Sequence, residues 1–245
     1  MARRRLDVAL VERGLFDSRA KARAAIEAGR VRVAGAPVVR PSELVEDDAA
    51  IEAQAAHPWV GRGALKLAHA LAIWPTTMAG AVVLDVGAST GGFTEVCLAA
   101  GAGRVYAVDV GRGQLHPKVA SDPRVVSLQA TDARALSAAV IAEPIDLIVC
   151  DVSFIGLAKA LPAALALARP GGVLIALVKP QFEVGPARVG KGGVVRDPAA
   201  RAEAVASVRA FLEGQGWSVL AVAPSPILGG DGNEEFLLRA EKAPY

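Results

Sequence analysis

The chain has 245 residues, 53% apolar and 21% charged, with a net charge of +2. That length suits one or two domains, and the apolar share can fill a sizeable core, which excludes global disorder. Two cysteines, Cys97 and Cys150, are too few for a disulfide framework or a closed zinc site, and both sit in apolar runs, where buried reduced thiols are expected.

The positive charge is concentrated at the front. Residues 1–40 hold ten Lys/Arg against four Asp/Glu, whereas residues 41–60 hold five acids and no Lys or Arg. A basic front end on a nearly neutral body points to nucleic acid. Asp7 interrupts any apolar run after the basic start, so no secretory leader is read. The longest uncharged stretch, 67–84, carries Pro75 and Gly80 and reads as helix, turn and strand rather than as a membrane span. A soluble cytoplasmic protein without a membrane partner is expected.

Residues 3–55 predict a small α/β module. Leu6, Ala9 and Leu10 share a helical face that Gly14 ends. Asp17 or Ser18 caps a second helix through Ile26, closed at Gly29. Val31-Arg32-Val33 alternates as a strand, Gly35 turns, and Val38-Val39 resumes it. Arg19 and Arg23 fall on one helix face with Lys21 beside them, opposite Ala22, Ala25 and Ile26. Arg3, Arg4, Arg5, Arg30 and Arg32 extend this cationic surface. The string Arg5-Leu6-Asp7 … Gly14 … Ser18-Arg19 … Ala22 … Ile26 … Gly29 … Val31 … Val33 … Gly35 … Val38 resembles the S4 RNA-binding domain. That resemblance implies phosphate contacts from the second helix and the loop after it, giving affinity and register rather than base reading.

Pro58 disfavours helix in the residue before it, so a boundary is expected near it: an N-terminal domain over 1–56, a linker over 57–60 and a second domain over 61–245. From residue 81 onward, strands (82–86, 104–108, 125–128, 145–150, 172–179) alternate with helices (93–100, 156–168, 198–215), and late strands follow at 217–222 and 236–238. This alternation predicts a doubly wound, mostly parallel α/β sheet of Rossmann-like kind.

The first of these strands runs into Leu84-Asp85-Val86-Gly87-Ala88-Ser89-Thr90-Gly91-Gly92-Phe93-Thr94. The glycines permit a sharp turn and close ligand approach. The string is not a Walker loop and lacks its lysine, which argues against a nucleoside triphosphate. Asp109, followed by Val110, ends the second strand where a carboxylate can hold a ribose diol. Asp132-Ala133 follows the third strand and Asp151 ends the fourth, although Asp132 alone also reads as a helix cap. Acids at successive strand ends beside a Gly-rich loop point to S-adenosylmethionine, with NAD as the rival, and to no metal.

Lys179 ends an apolar strand, Lys66 lies on the first helix of the body and Glu235 opens the last strand. Singly, each of these charges reads equally as structural. Together with Gly61-Arg62-Gly63-Ala64-Leu65-Lys66-Leu67, Asp109-Val110-Gly111-Arg112-Gly113-Gln114-Leu115, Asp151-Val152-Ser153-Phe154-Ile155, Leu177-Val178-Lys179-Pro180-Gln181-Phe182-Glu183 and Gly232-Asn233-Glu234-Glu235-Phe236, they resemble the haemolysin-A-type (TlyA) rRNA 2′-O-methyltransferases, whose second domain is similar to FtsJ. The resemblance implies a class I S-adenosylmethionine-dependent methyltransferase fold with a seven-stranded sheet. It implies a catalytic tetrad of Lys66, Asp151, Lys179 and Glu235. Lys179 is the candidate general base, although which of the two lysines takes the proton is not read from the sequence, and Arg62 is a further candidate RNA contact. It also implies S-adenosylhomocysteine as product, a cytidine ribose as target, large-subunit RNA ahead of small-subunit RNA, a ribosomal RNA or subunit as partner, and a monomer. Two readings from other classes stand beside it: a membrane-active haemolysin, and an RNA-binding assembly factor with an inactive methyltransferase fold.

Overall fold

The computed structural model describes residues 3–244, which fall into two compact units that divide between Pro58 and Trp59. The division lies inside the segment read as a linker.

In the first unit, β1 (Arg3–Arg5) leads into α1 (Leu6–Glu12) and α2 (Arg19–Glu27). The strands β2 (Val31–Val33), β3 (Ala36–Pro37), β4 (Leu44–Glu46) and β5 (Ile51–Ala53) follow. Ser18 is the cap of α2, its side chain accepting from the Lys21 N–H. Leu6, Leu10, Ala22, Ile26, Val31, Val38 and Val45 form the core. The second hairpin strand is displaced from its predicted place. Ala36–Pro37 pair with β2, while Val39 is 60% exposed. Val38 gives its N–H to the Val31 carbonyl and turns its side chain inward. Arg3–Arg5 pair antiparallel with Leu44–Glu46, a strand that no alternation of apolar residues announces.

The second unit opens with α3 (Ala64–Ile73) and then builds β6 (Val82–Val86), α4 (Gly92–Ala99), β7 (Arg104–Asp109), α5 (Pro117–Ala120) and β8 (Val125–Gln129). After these come β9 (Ile145–Cys150), α6 (Leu157–Ala160), α7 (Pro162–Leu167), β10 (Ala168–Val178) and α8 (Pro180–Glu183). The unit closes with α9 (Pro198–Gly214), β11 (Trp217–Pro224) and β12 (Phe236–Lys242). The predicted helix over 156–168 is two helices because Pro162 lacks an N–H and starts a new one, and Ala168 already belongs to β10.

The seven strands order as β11-β12-β10-β9-β6-β7-β8. Strands β6 to β10 pair parallel, and β12 runs antiparallel to both β10 and β11. Strand alternation sends Leu84, Val86, Ile148, Leu174 and Leu238 to one face, where α6, α7 and α9 cover them. Val83, Leu147, Val149, Ile175 and Leu237 go to the other face, under α3 and α4. Burial on both faces explains why the central strands are continuous apolar runs. The chain leaves β6 toward β7 on one side, and β9 flanks β6 on the other. The crevice at the carboxyl ends of β6 and β9 is therefore the topological switch point, where such sheets take ligands. No described helix is long and apolar enough to cross a membrane.

Candidate active site

The Gly-rich turn after β6 lies at this crevice. Gly87 has φ +86°, and a Cβ there would lie 2.8 Å from the Asp151 carbonyl oxygen. Gly91, the cap of α4, has φ +91°, and its Cβ would meet Leu115 at 2.7 Å. Only glycine satisfies both the backbone angle and the space at these two positions. Ser89 adopts a left-handed conformation without being glycine (φ +48°), and its N–H donates to Asp109 Oδ2 at 2.8 Å. Asp109 Oδ1 accepts from the Gly111 N–H at 2.7 Å, so one carboxylate ties two loops together at the end of β7.

A cavity of about 490 Å³ opens beside this loop. Gly87, Ser89, Asp109, Val110, Asp132, Ala133 and Asp151 line it, with Thr131, Arg134, Val152, Ser153 and Phe154. Asp132 also caps the turn Ala133–Ala135 and is ion-paired with Arg134, which holds its carboxyl down at about 2. The cap reading and the cavity position are thus both realised. A smaller cavity of about 200 Å³ continues from it, lined by Arg62, Gly63, Ala88, Thr90, Gly92, Phe93 and Lys179. The two share Gly87, Ser89, Asp151 and Ser153.

Gly91 and Asp85 line neither cavity. Gly91 shapes the turn. Asp85 is fully buried beneath the loop, where Thr94 Oγ1 donates to its Oδ2 at 2.6 Å and Oδ1 has no partner. Burial, reinforced by Asp151 and Asp109, pushes its carboxyl up to about 7. Asp85 therefore supports the loop from below rather than facing a ligand.

The four charges of the predicted tetrad form two ion pairs, one buried and one half-buried. Lys66 Nζ lies 2.6 Å from Glu235 Oε2, and these side chains are 8% and 3% exposed. Lys179 Nζ lies 2.7 Å from Asp151 Oδ1, without hydrogen-bond alignment, and donates to Ser153 Oγ at 2.8 Å. Asp151 and Lys179 face the smaller cavity; Lys66 and Glu235 do not line it. Of the neighbouring carboxylates, Glu235 turns inward and Glu234 outward to Arg201. Asn233 fixes that turn: its Oδ1 accepts from the Val195 N–H, and its Nδ2 donates to the Gly193 carbonyl. Glu95 anchors the segment before α3, accepting from the Val60 N–H and from Lys118.

Two cavity residues inside the string Asp151-Val152-Ser153-Phe154-Ile155 have no role of their own that the sequence assigns. One is Ser153, the hydrogen-bond partner of Lys179. The other is Phe154, which is 91% exposed at φ +66° and has its ring centroid 5.3 Å from that of Phe182. An exposed aromatic held in an unfavourable backbone conformation at the rim of a cavity is a candidate contact residue.

Arg62 donates to the Leu228 carbonyl at 2.8 Å beside the smaller cavity. In the first unit most of the predicted cations are already engaged. Arg3 pairs with Glu46, Arg4 with Asp47 and Glu12, Lys21 with Asp17, and Arg23 with Glu27. Arg5 and Arg19 both hold Asp7, and Arg32 donates to the Gly35 carbonyl. Arg30 pairs with no carboxylate among the described residues. Asp7, fully buried, is the hub of this face, and its two arginines hold its carboxyl at about 2, below the ordinary 3.8. Its stabilisation is therefore complete above about pH 4 and is lost as pH falls toward 2. Asp7→Asn is expected to flatten that acid limb and to lower stability near pH 7 by roughly 1 kcal/mol, read from urea melts across pH.

Comparison with known proteins agrees with this architecture. Residues 59–242 match the FtsJ-like methyltransferases, and residues 4–51 match the S4 domain. The chain is 48% identical over 241 residues to the 16S/23S rRNA (cytidine-2'-O)-methyltransferase TlyA of Mycobacterium tuberculosis, covering 97% of this chain and 90% of that one. It is 36% identical over 234 residues to Hemolysin A of Brachyspira hyodysenteriae, covering 95% and 98%. A solved structure from Streptococcus thermophilus, named as a hemolysin, superposes with a TM-score of 0.78 at 38% identity over 99% of this chain and 90% of that one. The chain belongs to the TlyA-type members of the FtsJ-like methyltransferase family, which carry an S4 domain ahead of the methyltransferase domain.

Proposed function

We propose that the protein transfers a methyl group from S-adenosylmethionine to a ribose 2′-hydroxyl of ribosomal RNA, with a cytidine as target and large-subunit RNA ahead of small-subunit RNA. The observation that carries this reading is the Lys179–Asp151 ion pair in the wall of a cavity that continues past a Gly-rich loop into a larger, nucleoside-sized one. The M. tuberculosis relative, named for cytidine-2'-O methylation of both rRNAs, supports the substrate class. The S4 domain supports RNA as the partner.

The residues present fit the methyl donor. A cavity of about 490 Å³ is in the usual range for small-ligand sites, about 300–1,000 Å³. Both oxygens of Asp109 are occupied by backbone N–H groups, yet each keeps a lone-pair site for a ribose hydroxyl. In this reading Asp109 holds the ribose, Val110, Asp132 and Ala133 flank the base, and the backbone of 87–91 admits the amino-acid end. When bound, the donor supplies a methyl already activated on a sulfonium.

The task left to the protein is to align a weak nucleophile and receive its proton. In its neutral form Lys179 is the proton acceptor, held in place by Asp151 and Ser153. Lys66 and Glu235, paired with each other behind the cavity wall, complete the tetrad by bracing that wall from α3 and from just ahead of the last strand. Phe154 offers its exposed ring to the target base. Phe154→Ala is therefore expected to raise the KM for RNA by about 5- to 100-fold, the range of base–aromatic stacking, with little change in donor affinity.

The function is tested by incubating the purified chain with isotope-labelled S-adenosylmethionine and unmodified ribosomal RNA, then digesting the RNA to nucleosides. Label in 2′-O-methylcytidine is expected. Label in a base methyl group contradicts the reading.

A further inference from the structure

A further groove, of about 510 Å³, meets the larger cavity at Phe154 and Ile155. Phe154, Ile155, Lys159, Gln181, Phe182 and Pro186 bound it, and the first two also line the larger cavity. Whatever occupies this groove adjoins the occupant of that cavity. Three features describe its occupant.

The walls come first. Phe154 and Phe182 stand 5.3 Å apart at 48°, presenting ring surface that suits a flat π-faced group. The second feature is polar. The side-chain oxygen of Gln181 is buried and has no hydrogen-bond partner. A buried acceptor left unsatisfied costs about 1–3 kcal/mol, and a turn of the Gln181 amide toward the groove would let an occupant's N–H relieve that cost. The third is charge: Lys159 on the rim is exposed and engages no carboxylate among the described residues.

The groove is also preformed. Gln181 and Phe182 sit on α8, directly after Lys179, and Glu183 Oε1 accepts from the Leu157 N–H at 2.9 Å. That bond locks α8 to α6, so the groove and the Lys179 amine are positioned by the same short helix.

We infer that this groove is a subsite for the unpaired nucleobase adjacent to the target nucleotide, with Gln181 reading an amino group on that base and Lys159 meeting its phosphate. A nucleobase combines flat faces, an N–H edge and an attached anion, which are the three things the groove asks for. The inference rests on the RNA-methylating reading above. It goes beyond that reading by assigning a sequence preference to the catalytic domain itself.

The test uses the full chain and an rRNA transcript spanning the mapped methylation site. Each base flanking the target is replaced in turn by its analogue lacking the exocyclic amino group. The wild type is expected to lose about 10- to 100-fold in kcat/KM at one flanking position, the range of a good base contact. Gln181→Ala is expected to lose that discrimination while still binding S-adenosylhomocysteine with wild-type affinity by calorimetry, which also reports on folding. Phe182→Leu, which keeps the packing volume but not the ring, is expected to raise KM for every flanking base alike. Equal rates for all analogues with the wild type, or unchanged discrimination in Gln181→Ala, overturn the assignment and leave ribose methylation standing. A wild type that methylates no ribosomal RNA overturns both.

Discussion

Lys179→Ala is expected to lower methyl transfer by about 10²–10⁴-fold, the contribution of a positioned general base. Affinity for S-adenosylmethionine, measured by calorimetry, is expected to stay near the wild-type value, because Lys179 faces the smaller cavity and not the larger one. Folding should survive. The Asp151 side chain that loses its partner is 19% exposed and has access to water, unlike Glu235 at 3%. A buried charge stripped of its partner costs about 3–5 kcal/mol, so Lys66→Ala is the variant in which lost stability and lost activity would be confounded. Lys179→Arg sharpens the test. A guanidinium keeps the positive charge beside Asp151 but does not deprotonate. Loss of turnover in both variants identifies a proton acceptor, whereas an active Lys179→Arg enzyme would reduce the lysine to an electrostatic anchor.

Gly87→Ala is expected to abolish cofactor binding and turnover together and to destabilise the fold. The new Cβ would lie 2.8 Å from the Asp151 carbonyl oxygen and 3.1 Å from its carbonyl carbon, both backbone atoms that cannot swing aside. The φ of +86° adds left-handed strain for any residue with a side chain. Together these cost roughly 2–4 kcal/mol, which for a domain of this size lowers Tm by roughly 5–15 °C. Relief requires Asp151 to move, and with it the Lys179 pair, so activity falls further than stability alone dictates. Gly113→Ala is the control: its φ is +64°, yet a Cβ there meets nothing within 4 Å. It should show a small stability loss and normal cofactor binding. Equal behaviour of the two variants would remove the close approach of loop and Asp151 from the account.

The parts of the fold legible in the sequence are those fixed by local pattern. The strands over 82–86 and 145–150 emerge with the same bounds, because buried parallel strands are short apolar runs ended by polar turns. Three-residue strands are not legible. Arg3–Arg5 and Leu44–Glu46 are strands because of each other, a pairing across about forty residues that neither segment encodes. Pro162 was a visible signal for splitting the helix over 156–168, since proline begins helices more readily than it continues them.

At the site, strand alternation places Asp85 with Val83, on the face under α4, and so away from a ligand at the strand end. That signal was available and points to a supporting role. The pairing of Lys66 with Glu235, 169 residues apart, has no local signature, and only family resemblance brought these residues together. Ser153, Phe154 and Gln181 owe their positions to loop geometry and to a helix of four residues, which no periodicity reaches. The front-end cations were legible as a cluster, but Asp7 as their buried hub was not, because its partners Arg5 and Arg19 come from different elements.

The most direct test of ribose methylation is nucleotide-resolution mapping of 2′-O-methyl groups on the ribosomal RNAs of cells with the protein, without it, and with Lys179→Ala in its place. A cytidine in large-subunit RNA is expected to be methylated only when the intact protein is present. Identical methylation maps in all three strains would contradict ribose methylation.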